Sequence, residues 1–346
     1  MSYGFGIIGT GMIAAFHAKA IHSLNGGHFV GAFSRSFDRA QEFCEQNGGK
    51  VYQTLDDMLA DPEIHIVTIC TPSAMHGEAA LAAIAAGKHV LIEKPMEVTA
   101  ARCDEIIDAA EKAGVVAASI FQNRFIEASQ ILKSTIDSGR FGKVVLGDAY
   151  VKWFRSQEYY DKRKASGTLA MDGGGALMNQ AIHAIDLLQW CMGPVEAVTA
   201  YTETLGHDGI DEEDVAVAIL KFASGARGVI EGTTAAYPGM LKKLEISGTN
   251  GTVVLEEDKF LKWEFSEATT EDATILEEHG SATVAKGGAS DPSAIDFRLH
   301  EAQFQNLIDH LSKDVPLIID SYEGRKAVAI IEAIYQSAKE RKEIKL

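Results

Sequence analysis

The first third of the chain alternates short apolar runs with longer segments of helical periodicity. The apolar runs predict strands at residues 5–8, 28–33, 64–70, 89–92 and 115–121. Helical segments between them begin near residues 12, 37, 56, 78 and 100. Residues 64–70 are apolar throughout, as is typical of a strand buried on both faces of a parallel sheet. This β-α repetition predicts a doubly wound α/β domain over residues 1–122.

The pattern changes after residue 122. Strands are predicted at residues 144–154, 215–222, 227–234, 244–247 and 252–255, and the Asn250-Gly251 pair between the last two indicates a hairpin. Helices are predicted at 127–138, 176–192, 304–311 and 325–339, and the polar segment 271–290 as a surface loop. Residues 123–346 are therefore predicted to form an α+β domain with a largely antiparallel, open sheet.

Composition and charge narrow the function. Two domains suit a chain of 346 residues, and its net charge of −17 repels polyphosphate backbones, so we expect no nucleic-acid partner. No apolar stretch approaches the ~20 residues of a membrane span. The N-terminus lacks the basic segment of a signal peptide, and the four scattered cysteines indicate neither a disulfide framework nor a metal site. We therefore expect a cytoplasmic protein without a membrane partner or a metal.

A glycine pattern lies between the first predicted strand and helix. In Gly9-Thr10-Gly11-Met12-Ile13-Ala14, Gly9 permits a tight turn, Gly11 lets the backbone approach a pyrophosphate, and Ala14 allows close helix packing. The helix N-terminus supplies amide donors to an anion. The alternative is a glycine-rich turn without a ligand. The strand–turn–helix context favours dinucleotide binding.

The end of the second predicted strand bears on the choice of cofactor. NAD-binding proteins usually place Asp or Glu there to bind the ribose 2′-hydroxyl, whereas this chain has Ser34, Arg35 and Arg39. Hydroxyl and guanidinium groups suit a 2′-phosphate. NADP is therefore favoured over NAD, the alternative being that both arginines are solvated surface charges.

Two further motifs follow predicted parallel strands, at the edge where open α/β sheets bind ligands. The first is Thr71-Pro72 with His76, and the second is Glu93-Lys94-Pro95. Lys94 can polarise a carbonyl or stabilise an alkoxide by its charge. The alternative for Lys94 is an ion pair with Glu93 or a neighbour.

A run of three glycines, Gly173-Gly174-Gly175, leads into the predicted helix 176–192. Asn179, His183 and Asp186 are spaced i, i+4 and i+7 and share one helix face. A histidine among polar neighbours suits proton transfer near neutral pH, with Asp186 fixing the ring. The alternatives are a surface histidine bonded to Asp186 and a metal ligand, for which too few ligand types converge.

Together these motifs, with the tail from Gly324-Arg325-Lys326 to the end of the last helix, resemble the glucose–fructose oxidoreductase/inositol dehydrogenase/MocA family. The resemblance spans nearly the whole chain in the right order. It implies a Rossmann dinucleotide-binding domain and a second domain whose open sheet packs against another subunit, hence a homodimer or homotetramer. It implies an NAD(P)-dependent dehydrogenase or reductase acting on a secondary alcohol of a sugar, sugar derivative or cyclitol.

The resemblance also implies roles for individual residues. Lys94 and His183 are the expected catalytic pair. Inositol-dehydrogenase-like members have Asp where this chain has Asn179, so we expect Asn179 to orient a hydroxyl rather than accept a proton. The expected cofactor contacts are Gly9, Thr10, Gly11, Met12, Ile13, Ser34, Arg35, Arg39, Thr71, Pro72, His76, Glu93 and Lys94. The expected substrate contacts are Asn123, Arg124, Trp153, Arg155, Tyr159, Tyr160, Asn179, His183 and Tyr237.

Three alternatives to a freely exchanging sugar dehydrogenase stay open. One is a non-catalytic NAD(P)- or sugar-binding regulator on the same fold, against which Lys94 and His183 argue. Another is a dihydrodiol-type dehydrogenase. The third is an enzyme whose cofactor stays bound while two sugars are coupled.

Overall fold

The structure, a computed structural model, describes residues 2–165, 171–281 and 296–346. These residues divide into two compact units. The first comprises the chain as far as Gln122 together with Met171–Gly173 and Asp296–Val328, and the second comprises the remaining described residues. Among the helices of these described ranges, none has the length and apolar character that a membrane crossing requires.

The first unit is built on a parallel sheet of six strands in the order β3-β2-β1-β4-β5-β6. The strands are β1 Tyr3–Ile8, β2 Gly27–Phe33, β3 Lys50–Val51, β4 Ile66–Ile69, β5 His89–Ile92 and β6 Ala117–Ser119. The helices are α1 Met12–Ser23, α2 Phe37–Asn47, α3 Leu55–Ala60, α4 His76–Ala85 and α5 Ala100–Ala113. The strand order reverses between β1 and β4, as in dinucleotide-binding folds, so the predicted doubly wound architecture is confirmed.

The second unit contains a sheet of eight strands in the order β13-β12-β11-β7-β10-β9-β8-β14. These are β7 Val144–Lys152, β8 Val195–Glu203, β9 Val215–Phe222, β10 Arg227–Thr233, β11 Lys243–Gly248, β12 Gly251–Glu256, β13 Lys259–Phe265 and β14 Ile344–Lys345. The β7–β10 pair is parallel and the other neighbouring pairs are antiparallel. The predicted, largely antiparallel sheet is therefore confirmed.

Helices cover one face of this second sheet. The remaining helices of the described residues are α6 Glu127–Asp137, α7 Gln157–Ala165, α8 Ile182–Met192, α9 Thr270–His279, α10 Phe297–Lys313 and α11 Ser321–Glu340, of which α10 lies in the first unit. A π-helical turn, Ala176–Ala181, precedes α8 directly. Gly147 on β7 permits close packing, because a Cβ there would lie 2.4 Å from Met192 Sδ on α8. On β9 the side chains alternate, so that Leu220 is buried and Ile219 is exposed.

The predicted assignment of every residue after 122 to the second domain is wrong. Helix α10 returns to the first unit, where its apolar face joins the core of β1 and α1. The Phe5 and Phe304 rings stack there at 6.0 Å, and Leu307 is fully buried. The sequence pattern detects these apolar positions, but it does not indicate which domain they cover.

The predicted loop 271–290 is also partly wrong. Residues Thr270–His279 form α9, which begins with a capping box between Thr269 and Asp272. The Asp272 carboxylate receives two bonds from Arg140 and one from the Trp263 indole at 2.6 Å. These contacts stabilise a helix that lacks strong apolar periodicity. Residues 282–290 lie outside the described part of the chain.

Candidate functional site

The turn between β1 and α1 has the geometry of a pyrophosphate cradle. Gly9 has a φ of +90°, and a Cβ there would lie 2.7 Å from the Cys70 carbonyl oxygen, so this position requires glycine. A Cβ on Gly11, by contrast, would meet no described atom within 4 Å. Gly11 is the N-cap of α1, and Ala14 is fully buried. The helix N-terminus therefore faces open space that suits an anionic group.

Two hydroxyl groups mark the same edge of the sheet. Thr10 follows β1 and Thr71 follows β4, next to Pro72. The Oγ1 atoms of both threonines are buried and have no hydrogen-bond partner among the described residues. Met12 is 60% exposed and Ile13 is half-buried. Buried polar groups are normally paired, so a dinucleotide with its many polar atoms fits this edge.

The end of β2 lies beside the glycine turn. The Gly9 N–H donates to the Phe33 carbonyl at 2.8 Å, so Ser34 follows the neighbouring strand directly. Ser34 is half-buried, whereas Arg35 and Arg39 are exposed. The residues that directly follow β2 therefore offer a hydroxyl and two exposed guanidinium groups rather than a carboxylate.

His76 braces two loops instead of offering a ring nitrogen to the cofactor. Its Nδ1 lies 2.7 Å from the Pro95 carbonyl oxygen and its Nε2 lies 2.9 Å from the Thr71 carbonyl oxygen. The ring is 1% exposed, and burial lowers its pKa despite these carbonyls. The direct cofactor contact of His76 stays a prediction, and it would not use these two ring nitrogens. The histidine instead links the loops after β4 and β5.

Glu93 is an internal anchor for the main chain, and its cofactor contact stays a prediction. Its Oε2 accepts the Lys94 backbone N–H at 3.0 Å, and its Oε1 lies 2.9 Å from Nε2 of the fully buried His17. Nε2 of the buried His300 lies 3.6 Å from the same Oε1, and neither ring nitrogen of His300 has a hydrogen-bond partner among the described residues. Glu93 therefore holds the main chain at Lys94.

The protonation of this cluster follows from its donors and acceptors. Burial raises the pKa of Glu93, but the two histidines outweigh it and hold that pKa well below its ordinary value. Burial lowers the pKa of His17. A neutral His17 that donates from Nε2 to Glu93 leaves Nδ1 to accept the Thr68 hydroxyl at 2.8 Å. An ionised Glu93 facing a neutral His17 therefore satisfies both ring nitrogens of His17 and the Thr68 hydroxyl.

In the second unit, Asn179 lies on the π-helical turn and His183 on the first turn of α8. Asn179 and His183 are half-buried, while Met178 and Ala184 beside them are buried in the core. The predicted continuous α-helix from 176 is therefore replaced by a π-to-α segment. This segment presents Asn179 and His183 as partly accessible polar groups.

Arg124 and Asp186 form an internal ion pair. Arg124 Nε donates to Asp186 Oδ2 at 2.9 Å and its NH2 donates to Oδ1 at 2.6 Å, and both residues are fully buried. The guanidinium also packs over the Trp190 ring. The bidentate pair joins the turn before α6 to α8, and the predicted substrate contact of Arg124 is corrected because its side chain is fully buried against Asp186. The predicted role of Asp186 in fixing the His183 ring stays a prediction.

Two further predicted substrate contacts, Arg155 and Tyr160, differ in the polar groups that they offer. Arg155 is 4% exposed, and its guanidinium lies 5.2 Å from the centre of the Trp153 ring. One of its NH2 groups donates at 3.2 Å to Oε1 of Gln180, the residue that follows Asn179. Tyr160 has the same low exposure, and its hydroxyl, the only polar group of the side chain, already bonds Thr234 Oγ1 at 2.6 Å. Its predicted substrate contact stays a prediction.

Asn123 and Tyr237 differ in accessibility. Asn123 is half-buried in a short 3₁₀ turn, Gln122–Phe125. Tyr237 is 81% exposed and its ring edge contacts Phe154. Both remain open to a ligand.

The sequence analysis misses three residues whose hydrogen bonds hold these elements in place, namely His17, Glu213 and Tyr335, and it also misses the buried His300 next to Glu93. His17 lies on the face of α1 that carries the buried Ala14, Ala18 and Ile21, and this spacing is a usable signal of burial. Glu213 lies in the acidic run Asp211–Asp214, where nothing distinguishes a buried carboxylate from a solvated one. Its contacts are with residues far away in the sequence.

Comparisons with known proteins agree with this geometry. A family model described as "Oxidoreductase family, NAD-binding Rossmann fold" matches residues 3–121, and the model "GFO/IDH/MocA C-terminal domain" matches residues 129–254. An uncharacterized oxidoreductase of Synechocystis is 31% identical over 272 residues, covering 73% of this chain and 71% of its own length.

Two named dehydrogenases are similar over nearly the entire chain. The myo-inositol 2-dehydrogenase of Thermotoga maritima is 26% identical, covering 99% of this chain and 98% of its own. The crystal structure of the WlbA dehydrogenase from Bordetella pertussis, in complex with NADH and UDP-GlcNAcA, is 32% identical with a TM-score of 0.88. It covers 100% of this chain and 98% of its own.

Proposed function

The chain belongs to the glucose–fructose oxidoreductase/inositol dehydrogenase/MocA family of oxidoreductases, and from that premise we propose that Lys94 and His183 catalyse reversible oxidation of a secondary alcohol on a sugar or cyclitol ring. The observation that carries the proposal is the sheet edge of the first unit. There the glycine turn, the two unpaired threonine hydroxyls and the anchored Lys94 follow the carboxyl ends of β1, β4 and β5. The bound nicotinamide supplies the hydride acceptor or donor.

Each proposed residue has a separate task. During oxidation His183 takes the hydroxyl proton of the substrate as general base, and it returns that proton during reduction. The Lys94 ammonium stabilises the negative charge that develops on the substrate oxygen. Asn179 donates or accepts a hydrogen bond that orients the hydroxyl, because an amide cannot take up the proton.

The substrate class follows from Arg155 and from the relatives. Arg155 is held beside the π-helical turn by Gln180, and a guanidinium binds carboxylate or phosphate in a planar, two-point manner. The WlbA complex contains UDP-GlcNAcA, and the Thermotoga relative is named for myo-inositol. We propose that the substrate is a ring polyol with an anionic substituent bound by Arg155.

A substrate panel tests this function. Neutral cyclitols, neutral glycosides, a free hexuronic acid and a nucleotide-linked sugar acid are each mixed with NAD or NADP, and reduction is followed by nicotinamide absorbance. We expect turnover on ring alcohols, with kcat/KM about tenfold or more higher for the anionic members. Arg155→Met should remove that difference and leave neutral substrates nearly unchanged. A preference for neutral substrates in the parent would contradict the role of Arg155.

The cofactor preference is a separate proposal. The relatives with 32% identity were solved with NADH, and the N-terminal family model describes an NAD-binding fold. Ser34, Arg35 and Arg39 at the end of β2 support a preference for NADP(H) over NAD(H). We expect kcat/KM to be higher with NADP(H) and Arg35→Ala to reduce the ratio. A parent that favours NAD(H), or a ratio unaffected by Arg35→Ala, contradicts this account.

Three alternatives are distinguished by experiments on the same protein. A non-catalytic regulator would bind nicotinamide but would reduce it with no member of the panel. An enzyme with a permanently held cofactor would show nicotinamide absorbance after purification and would oxidise one sugar only while reducing another. A dihydrodiol-type dehydrogenase would turn over an aryl dihydrodiol in preference to every sugar.

Assembly and location are proposed more simply. The outer face of the second sheet carries the exposed side chains of Tyr201, Val217 and Ile219. An apolar surface of this kind suits packing against a second copy of the chain. We propose that the protein is cytoplasmic and forms a homodimer or homotetramer. Light scattering on the protein as it elutes from a sizing column would measure the number of subunits.

A further inference from the structure

A buried carboxylate outside the proposed catalytic set holds the start of the π-helical turn. Glu213 precedes β9 and is 8% exposed. Its Oε2 accepts the Gly175 N–H at 2.9 Å and its Oε1 accepts the Leu177 N–H at 2.8 Å. Its carbonyl oxygen accepts the Ala176 N–H at 2.8 Å. One residue therefore receives the first three N–H groups around the start of the turn.

Tyr335 on α11 supports the same carboxylate. Its hydroxyl donates to Glu213 Oε1 at 2.9 Å. Burial and the neighbouring Glu213 raise the pKa of Tyr335 well above its ordinary value, so the hydroxyl keeps its proton and remains a donor. The arrangement gives Glu213 two backbone donors and one side-chain donor, as a buried carboxylate requires.

The glycines before the turn are explained by this contact. A Cβ on Gly175 would lie 1.9 Å from the Glu213 carbonyl oxygen, and a Cβ on Gly174 would lie 2.3 Å from the Tyr335 hydroxyl oxygen. No side chain fits at either position while Glu213 and Tyr335 stay where they are. Gly174 and Gly175 therefore allow the main chain to approach Glu213 and Tyr335 closely. We call Glu213 and Tyr335 the anchor of the π-helical turn.

The π conformation changes how Asn179 and His183 are aligned. In an α-helix 3.6 residues complete a turn, so positions four apart are rotated past one another by about 40°. A π turn closes i→i+5 bonds and takes more residues per turn. The stretch from Asn179 to His183 begins in the π turn and ends in α8, so the two positions lie more nearly in line.

We propose that Glu213, supported by Tyr335, is a positioning residue that clamps the π-helical turn and thereby aligns Asn179 with His183 for the substrate hydroxyl. This inference rests on the roles proposed above for Asn179 and His183. The anchor acts through the main chain, because its contacts are with Gly175, Ala176 and Leu177 rather than with the functional side chains.

The test is a double-mutant cycle on the full-length protein. Glu213→Gln keeps the shape of the side chain but replaces one acceptor oxygen by an amide donor that faces a backbone N–H. We expect kcat to fall at least tenfold, while the Kd for NADPH, measured by nicotinamide fluorescence, changes less than twofold. Asn179→Ala should lower kcat about tenfold in the parent but less than threefold in Glu213→Gln, because the alignment is already lost.

Further variants make the outcomes decisive. Tyr335→Phe removes one donor and should lower kcat about three- to fivefold with the same reduced penalty for Asn179→Ala, which covers the case in which Glu213→Gln does not fold. Glu203→Gln, an exposed carboxylate at the end of β8, is the matched control and should behave as the parent. Parental kcat in Glu213→Gln, or an unchanged Asn179→Ala penalty in both anchor variants, overturns the proposal.

His183→Ala, measured in parallel, separates this inference from the proposed function. If His183→Ala is nearly inactive while Asn179→Ala is equally costly in every background, the anchor proposal fails and the catalytic proposal stands. If His183→Ala turns over at the parental rate, both fail.

Discussion

Lys94 and His183 are presented by two different kinds of backbone, each held by a buried glutamate. Lys94 leaves a parallel strand, and its own N–H donates to the adjacent Glu93. His183 follows a π-helical turn that is anchored by Glu213, 38 residues away from Gly175 along the chain. In the first unit the anchor is part of the local motif. In the second unit the anchor, Glu213, lies in a loop far away in the sequence. Only the Glu93 anchor can therefore be predicted from neighbouring residues.

The largest effect is expected for His183→Ala. Positioned acid–base catalysis contributes roughly 10²–10⁴ in rate, so the substitution should lower kcat by about that factor. Because imidazole titrates near neutral pH, the parent should also lose kcat/KM for alcohol oxidation as the pH falls through that range and the base becomes protonated. The pH–rate profiles of parent and variant measure both effects.

The variant should show no such acidic limb, and its cofactor Kd should match the parent. An acidic limb that persists in His183→Ala at near-parental rate would mean that another group, such as a tyrosine or a second substrate hydroxyl, moves the proton.

Lys94→Ala should have the next largest effect. One preorganised donor at a developing oxyanion is worth roughly 2.7–4 kcal/mol, which corresponds to a loss in kcat of about 10²–10³. Cofactor affinity should change little, because the ammonium acts on the substrate oxygen. Steady-state kinetics and fluorescence titration separate the two quantities. Lys88→Ala is a matched control, since Lys88 lies before β5 and its ammonium bonds the Ile64 carbonyl. Near-normal turnover in Lys94→Ala would remove Lys94 from the mechanism.

The contrast between the two anchors also explains which features the sequence could predict. The parallel sheet, the glycine turn and the strand-end lysine follow from local patterns, and each strand of the first sheet except the two-residue β3 is predicted from them. The π turn is not predicted from such patterns, because over so short a stretch the spacing of apolar residues is the same for an α-helix and a π-helix. Arg124 and His76 look like ligand contacts in the sequence, yet their partners are Asp186 and two carbonyls.

The sequence also cannot show which side chains meet from distant elements. His300 on α10 reaches Glu93 only because α10 packs on the first unit, a return of the chain that periodicity does not reveal. The α9 helix depends in the same way on Arg140 and Trp263. Features set by long-range contacts therefore account for most of the errors.

Substitution of His17 is expected to lower kcat less than the substitutions of His183 and Lys94. His17→Leu leaves the ionised Glu93 without its short donor, whereas His17→Gln keeps an N–H near the position of Nε2. A hydrogen bond to a charged group is worth about 1.5–3 kcal/mol. We therefore expect His17→Leu to lower both the thermal midpoint and kcat, the latter about tenfold, and His17→Gln to recover most of each.

Measuring the metal content of the purified protein tests whether this cluster binds a metal ion instead. The ligand atoms of His17, Glu93 and His300 lie within 4.8 Å of one another, a spacing that a metal ion can also use. Because His17 bonds Glu93 directly, we expect no stoichiometric metal in the purified protein. One metal ion per chain that is lost in His17→Leu would show that the cluster binds a cation instead.

The smallest effect is expected for Asn179→Asp, which places a carboxylate where related inositol dehydrogenases are expected to have one. The side chains have the same shape and Asn179 is half-buried, so the π turn should be kept. A carboxylate beside His183 favours the protonated imidazole, so the acidic limb of the oxidation profile should move to higher pH, because protonation of the base then begins sooner as the pH falls. At pH values above that limb kcat should stay within about threefold of the parent or rise, since the carboxylate stabilises the charge that His183 gains in the transition state. A tenfold loss on that plateau would show that this site requires the amide N–H of Asn179 as a donor to the substrate, and that its chemistry differs from that of the aspartate-containing relatives.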